Sequence, residues 1–277
     1  MSGLRIMSAS KAVPILTYHS LDNSGAVTSV APREFRGHMQ ILAQRGFNGI
    51  SLADLLDCWA GRGTLPQHPV VITFDDGFAN VLEHAAPSLA DLGFGATIFV
   101  VTGRCGQTND WPNQAPNIPR LPLLSWAELA QLATAGFEIG AHSVTHRQLT
   151  ELPQSEVARE IVESKTAIED RLGQAVETFA YPYGVFSREI CDVACEHFRA
   201  ACSTRLERAR PTDNRYCLPR VDVYYFRRPI LFRMFETQVG RAYLALRGAG
   251  RETRSELIRF GFLPRMKSSS EHVDGGC

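Results

Sequence analysis

An α/β fold built on a parallel sheet that closes, or nearly closes, into a barrel is what this sequence predicts, on three observations. Short runs rich in Val, Ile and Phe alternate with helix-period segments along most of the chain; strand-then-helix repetition calls for parallel strands, because each crossover returns the chain to the same end of the sheet. Several of the runs are almost continuously apolar, as in strands covered on both faces. After the first of them stands "TYHSLDNSG", with no glycine-rich dinucleotide fingerprint, so the open nucleotide-binding sheet loses support and the closed form gains it.

Taken in order, the strands are expected in "VPILTY", "VVITF", "GATIFVV", "FEIGA", "ETFAYP", "FRAACST" and "LPRVDV". Between them "PREFRGHMQILAQRG", "FANVLEHAAPSLADLG", "SWAELAQLATAG", "PQSEVAREIVESKTAIEDRLG" and "SREICDVACEHF" carry helical spacing. Their ends fit: Ser125 with Glu128 forms a capping box, Ser187 can cap its helix, and Gly93, Gly136 and Gly173 stand where C-terminal glycines belong. There is no repeat of fixed period.

With 277 residues, 44% hydrophobic and 21% charged, the chain has ordinary globular composition and room for one barrel-sized domain or two smaller ones. Lys and Arg total 29 and so do Asp and Glu, so no global field draws in nucleic acid or an anionic membrane, and a neutral glycan is unopposed. The start, "MSGLRIMSASKAVPILTYHS", has no signal-peptide core, and no stretch stays apolar long enough to span a bilayer. A soluble, cytoplasmic protein is the expectation. Seven cysteines, none in a CxxC pair, read as reduced thiols. Cys191 and Cys195, one helical turn apart in apolar company, are expected as small core residues rather than a metal pair.

The polar residues that could carry chemistry share one kind of position. His19, Asp75 with Asp76, His142 and Tyr183 each follow a different expected strand, and in barrel enzymes the carboxyl ends of the strands carry the active site. In "AHSVTH", His142 and His146 are four apart, so in a helical turn both imidazoles would project from one face toward one ion. Two histidines and a carboxylate make three protein ligands and leave positions open for water and substrate, which is a catalytic pattern. Asp75 and Asp76, being consecutive, point in different directions; one can ligate while the other faces the water as general base.

These residues resemble the polysaccharide deacetylases with a NodB-homology domain (carbohydrate esterase family 4). The resemblance rests on "TFDDG", "HSVTH" and "YPYG", in that order, and covers roughly Val13 to Val223. It implies a distorted (β/α)7-type barrel, here with additional C-terminal helices, that removes N-acetyl groups from an amino-sugar glycan and releases acetate. It further implies Asp75 as general base, one divalent ion on Asp76, His142 and His146 (Zn²⁺ expected, Co²⁺ or Ni²⁺ as alternatives), and the backbone N–H of Tyr183 as oxyanion donor. A small-molecule amidohydrolase on the same fold and a non-catalytic glycan-binding pseudoenzyme are the competing readings.

Two departures from the family pattern stand out. Ala180 occupies the place of an arginine that braces the base, and no Leu-x-His motif bearing the general acid follows residue 223. His19, in "ILTYHS", is the candidate acid, as in the poly-N-acetylglucosamine deacetylase branch that the chain is similar to. Arg220, in "CLPRVDV", is the candidate replacement for the arginine, and Trp111, Pro182 and Arg220 are candidate substrate contacts. Beyond Val223 the chain turns helix-prone, arginine-rich and aromatic; helices closing the bottom or side of the barrel are the first reading, weak contact with a membrane surface or a protein the second. The expected division is a flexible leader at 1–12, the barrel at 13–225, a helical extension at 226–265 and a disordered tail at 266–277.

Overall fold

A computed structural model of the chain describes residues 12–112 and 114–259. The expected leader and tail lie outside the described residues, apart from residue 12. Among the described residues eight parallel strands form one sheet: β1 (Ile15–Tyr18), β2 (Asn48–Ile50), β3 (Pro69–Phe74), β4 (Thr97–Val100), β5 (Glu138–Ala141), β6 (Thr178–Ala180), β7 (Ala200–Cys202) and β8 (Val221–Asp222). Their order is β7-β6-β5-β4-β3-β1-β8, with β2 paired to the start of β3. The ring is joined by one short segment: Leu218 bridges Cys202 of β7, and three residues on Val221 pairs with Leu16 of β1. This is the distorted (β/α)7-type barrel, with helices added at its C-terminal end.

Alternation along each strand sorts side chains to the two faces. Ile15, Val71, Phe99, Ala180, Ala200 and Cys202 share an interior cluster, whereas Val70, Ile72, Phe74, Ile98 and Phe179 pack outward under the helices. Small residues keep the interior closed around one ring: a Cβ on Gly140 would lie 2.6 Å from the Phe99 ring. By the same period of two, Thr73 and Asp75 continue the inward row begun by Val71, so the strand delivers Asp75 to the top of the interior.

The helices are α1 (Pro32–Gln44), α2 (Leu52–Trp59), α3 (Ala86–Ala90), α4 (Trp126–Thr134), α5 (Gln154–Leu172), α6 (Arg188–His197), α7 (Pro229–Phe232) and α8 (Gln238–Arg259). The Ser125–Glu128 capping box forms, Ser187 accepts from the Ile190 N–H, and Gly173 ends α5 in the left-handed region. The single helix expected over 78–93 is instead a π-helical turn, Val81–Ala85, leading into α3. Pro87 is the reason: it lacks the N–H an unbroken α-helix needs there.

Two elements are absent from the sequence reading. Asn48-Gly49, outside every expected run, begins β2; a Cβ on Gly49 would sit 2.7 Å from Phe94, so only glycine lets that ring pack. The next segment, α2, sends Leu52, Leu55 and Leu56 into the interior cluster and so plugs the lower end of the barrel. Its first turn is held by Glu138, which accepts from the Ala53 N–H and from the hydroxyls of Thr97 and Thr178. Cys191 and Cys195 also differ from expectation: Cys195 is exposed and Cys191 half-buried, because both stand off the face that α6 buries through Ile190 and Ala194.

After β8 the chain folds back along α1. His38 is the anchor: its ring stacks on Phe232 at 4.0 Å, its Nε2–H donates to Arg227 O, and Nδ1 faces the Tyr18 hydroxyl at 3.2 Å. Burial pushes its pKa down to about 4, so it sits there as a neutral ring. Phe232 and Phe235 are buried beneath this contact. Among the described residues no helix is long and apolar enough to cross a membrane.

Candidate active site

Four strand ends deliver the polar residues to one rim. His19 follows β1, Asp75 and Asp76 follow β3, His142 follows β5, and Tyr183 follows β6; all line a pocket of about 260 Å³. The backbone is forced to make this convergence. Among the described residues five non-glycine positions have positive φ, and four of them, Asp76, Ser143, His146 and Tyr183, lie in this rim. Such conformations are costly and persist where surrounding structure fixes them. At Asp76 the reversal turns its side chain away from the inward row that Asp75 continues.

Asp76 therefore meets the histidines. Its Oδ1 lies 3.3 Å from His142 Nε2 and 3.2 Å from His146 Nε2, and all three residues are buried. The orientation of His142 is determined by its neighbour: Nδ1 lies 2.7 Å from the Ala180 carbonyl, which can only accept, so Nδ1 carries a proton and Nε2 is the nitrogen turned to Asp76. Burial works against ionised Asp76, but the adjacent imidazoles His146 and His142 outweigh it and hold its carboxyl well below the usual range. Burial likewise lowers His146, whereas for His142 the neighbouring carboxylates overcome burial and raise it.

A divalent cation fits these residues. Asp76 Oδ1 is buried without a hydrogen-bond partner, which is costly unless something else satisfies it. Ligand atoms about 2.0–2.1 Å from one ion at tetrahedral angles stand about 3.4 Å apart, close to the Asp76–histidine separations. One carboxylate oxygen and two imidazole nitrogens are a donor set suited to Zn²⁺ and its neighbours.

The HxxxH spacing works differently from the helical turn expected of it. Residues 142–148 are not helical; Ser143 and His146 both take left-handed backbone, and the His146 N–H donates to Ser143 Oγ. A residue the sequence reading missed holds this loop: Glu160 of α5, itself buried, accepts from the backbone N–H groups of Val144 (2.9 Å) and Thr145 (2.8 Å) and from the Thr145 hydroxyl. It sits on the buried face of an otherwise polar helix, and a glutamate at an apolar-face position is the one signal that could have found it.

Asp75 faces the other way. Arg220 reaches both of its oxygens at 2.7 Å, donates to Ser203 O, and approaches the Thr73 hydroxyl at 3.3 Å. Burial opposes ionisation of Asp75, yet the Arg220 guanidinium outweighs it and lowers the carboxyl. Arg220 is itself almost fully buried and raised above its ordinary value. His19 Nε2 is 3.9 Å from Asp75 Oδ2, with a quarter of its side chain exposed to the pocket. Arg220 thus sits against Asp75 beneath the pocket and is not among the residues lining it.

Trp111 is only 6% exposed and packs against the His146 ring at 4.2 Å, with Tyr183 also against that ring at 4.7 Å. Much of its indole is thereby committed to clamping a histidine, although its edge still lines the pocket. Pro182 is buried in the short turn Pro182–Gly184 that presents Tyr183, and does not line the pocket. A larger groove of about 730 Å³ lies at the opposite end of the strands, beside Glu177 and Arg199; its charges largely pair with one another, as Arg62 and Arg199 do with Asp57.

The sequence model of the family described as polysaccharide deacetylase matches residues 62–198, a span that contains Asp75, Asp76, His142, His146 and Tyr183. Residues 62–198 form a polysaccharide deacetylase domain. It is 26% identical over 212 residues to YxkH of Bacillus subtilis, covering 76% of this chain and 71% of that protein. With the poly-beta-1,6-N-acetyl-D-glucosamine N-deacetylase of Staphylococcus aureus it shares 23% over 203 residues, 70% of this chain and 67% of the relative. Among solved structures, the deacetylase PplD of Streptococcus pyogenes in complex with acetate superposes with a TM-score of 0.71 at 20% identity, covering 82% of this chain and 98% of PplD. IcaB of Ammonifex degensii gives 0.68 at 24%, covering 80% and 97%. These two structures share the fold. Within the polysaccharide deacetylase barrel, Arg220 lies 145 residues from the Asp75 it holds, and Glu160 16 and 15 residues from the Val144 and Thr145 amides it holds.

Proposed function

We propose that this protein is a metal-dependent hydrolase of the polysaccharide deacetylase family that removes N-acetyl groups from an N-acetylated amino-sugar glycan, with poly-N-acetylglucosamine of an exopolysaccharide as the leading substrate class. The observation that carries the reading is the gathering of Asp76, His142 and His146 around one point beside an Asp75 that is braced and ionised. Similarity to a poly-N-acetylglucosamine deacetylase supports the substrate class.

A divalent cation held by Asp76, His142 and His146 would polarise the amide carbonyl and lower the pKa of water beside it. Asp75 accepts the proton of the attacking water as general base; the two Arg220 hydrogen bonds keep it ionised and aimed, at some cost in basicity. His19, 3.9 Å from Asp75 Oδ2 and open to the pocket, protonates the leaving amine. The backbone N–H of Tyr183, presented by a left-handed turn, donates to the oxygen on which charge develops in the transition state. Trp111 and Tyr183 hold His146 between them and shape the wall against which the acetyl group rests.

The test is acetate release from a panel of N-acetylglucosamine oligomers, with chelation and metal add-back. Release that a chelator abolishes and Zn²⁺ or Co²⁺ restores is the expected result. Turnover of a small amide with no release from any oligomer overturns the glycan reading, and release that survives full metal removal overturns metal dependence.

A further inference from the structure

Exposed apolar side chains concentrate away from the pocket, on α7 and α8. Of the nine large apolar residues exposed among the described residues, six (Ile230, Leu231, Met234, Val239, Tyr243 and Leu246) lie between positions 230 and 246, with Ile230, Val239 and Leu246 exposed at 73%, 63% and 74%. On α8, Val239, Tyr243 and Leu246 fall at i, i+4 and i+7 and form one outward stripe. A flanking face holds the helix down: Leu244 is buried, and a Cβ on Gly240 would lie 2.0 Å from Met234 O. The stripe is therefore displayed by a fixed helix, and it borders a cleft of about 340 Å³ between α7 and α8.

Positive charge concentrates in the same segment. Residues 227–250 carry five arginines against one glutamate, a local net charge of +4 in a chain that is neutral overall. Arg228, Arg233, Arg241 and Arg247 are exposed, and Arg247 lies over the Tyr225 ring at 4.8 Å. The balanced total of the sequence conceals this patch. Apolar side chains interspersed with arginines suit a bilayer interface, where the apolar groups enter the headgroup boundary, the arginine stems lie along it, and the guanidinium groups meet lipid phosphates.

We propose that this face seats the protein on an anionic lipid surface. The face begins beside the pocket: Arg227 donates to Gly25 O in the loop whose Val27 and Thr28 line it. Seating would bring the pocket mouth close to the membrane. The proposal stands on these surface residues and does not depend on the reaction performed.

Co-sedimentation of the full chain with vesicles decides it. Vesicles of phosphatidylglycerol and phosphatidylcholine in equal parts should take up the protein roughly tenfold or more better than phosphatidylcholine alone, and less as salt rises. Ile230→Glu with Leu246→Glu should abolish uptake, and Arg241→Glu with Arg247→Glu should remove the preference for the anionic lipid. All these variants should remain monomeric and folded by circular dichroism and should release acetate from soluble oligomers at the wild-type rate. Absence of uptake by the anionic vesicles overturns the proposal, as does uptake that both double variants retain. A wild-type dimer in solution that Leu246→Glu converts to monomer, with no vesicle uptake, overturns it in favour of an interface between two copies.

Discussion

Arg220 and Asp75 meet in a fully buried, two-pronged ion pair, with each guanidinium nitrogen 2.7 Å from its own carboxylate oxygen, although 145 residues separate them. The pair places a positive charge where Ala180 leaves none, directly behind the residue assigned to take a proton from water. The side chain arrives from just before β8, the strand that closes the barrel.

Arg220→Met should separate the two effects of this pair. The folded-state pKa of Asp75 is depressed, so the pair's contribution to stability is present above the unfolded carboxylate pKa and is lost as pH falls through the folded one. The variant should therefore lose about 3–5 kcal/mol near neutral pH and clearly less in acid. The acid limb of its pH–rate profile should also move up, since Asp75 without the guanidinium ionises at higher pH. Denaturant melts at two pH values and the rate profile check this; an unmoved acid limb contradicts the assignment of Asp75 as base.

Asp75→Asn and Asp76→Asn should fail differently. Asparagine at 75 cannot accept the proton, but Asp76, His142 and His146 remain, so metal stoichiometry should hold while turnover collapses. At 76 the anionic ligand is lost, so metal affinity should fall and excess metal should recover part of the rate. Equal metal loss in both variants would refute the division.

Glu160 should matter to metal affinity although it lies outside the ligand set. Glu160→Ala leaves the Val144 and Thr145 donors of the histidine loop without their acceptor, and affinity for Zn²⁺ should drop roughly 10- to 100-fold by calorimetry. Glu160→Gln keeps one carbonyl acceptor and should lose less. Identical affinity in wild type and Glu160→Ala would show that the loop holds its shape by other means.

His19→Ala should lower turnover by roughly 10²–10⁴ with metal content unchanged. A variant with the wild-type rate at every pH would remove His19 from the acid's role.

Much of this architecture is legible locally. All seven expected runs contain a strand, because an apolar run covered on both faces is recorded in consecutive residues, and the Ser125–Glu128 box is complete within four. Asp75, Asp76, His142, His146 and Tyr183 could be placed on one rim before any coordinates, since strand ends in a parallel barrel share a side. What could not be read depends on contacts between distant segments. In the strand at Asn48–Ile50 Gly49 yields to Phe94, and the histidine loop takes left-handed turns in place of a helix because Glu160 satisfies its amides. Arg220, by contrast, is already the candidate brace in the sequence, and the closure of the ring at β8 brings it onto both oxygens of Asp75. Periodicity and turn chemistry act over a few residues and so leave a mark in sequence, whereas a buried charge chooses its partner by three-dimensional proximity in a low-dielectric interior, where an unpaired carboxylate is too costly to leave. The chain by itself determined which residues stand at the strand ends; tertiary packing decided which of them gather around one point, which stands apart, and how the contacts that brace them are made.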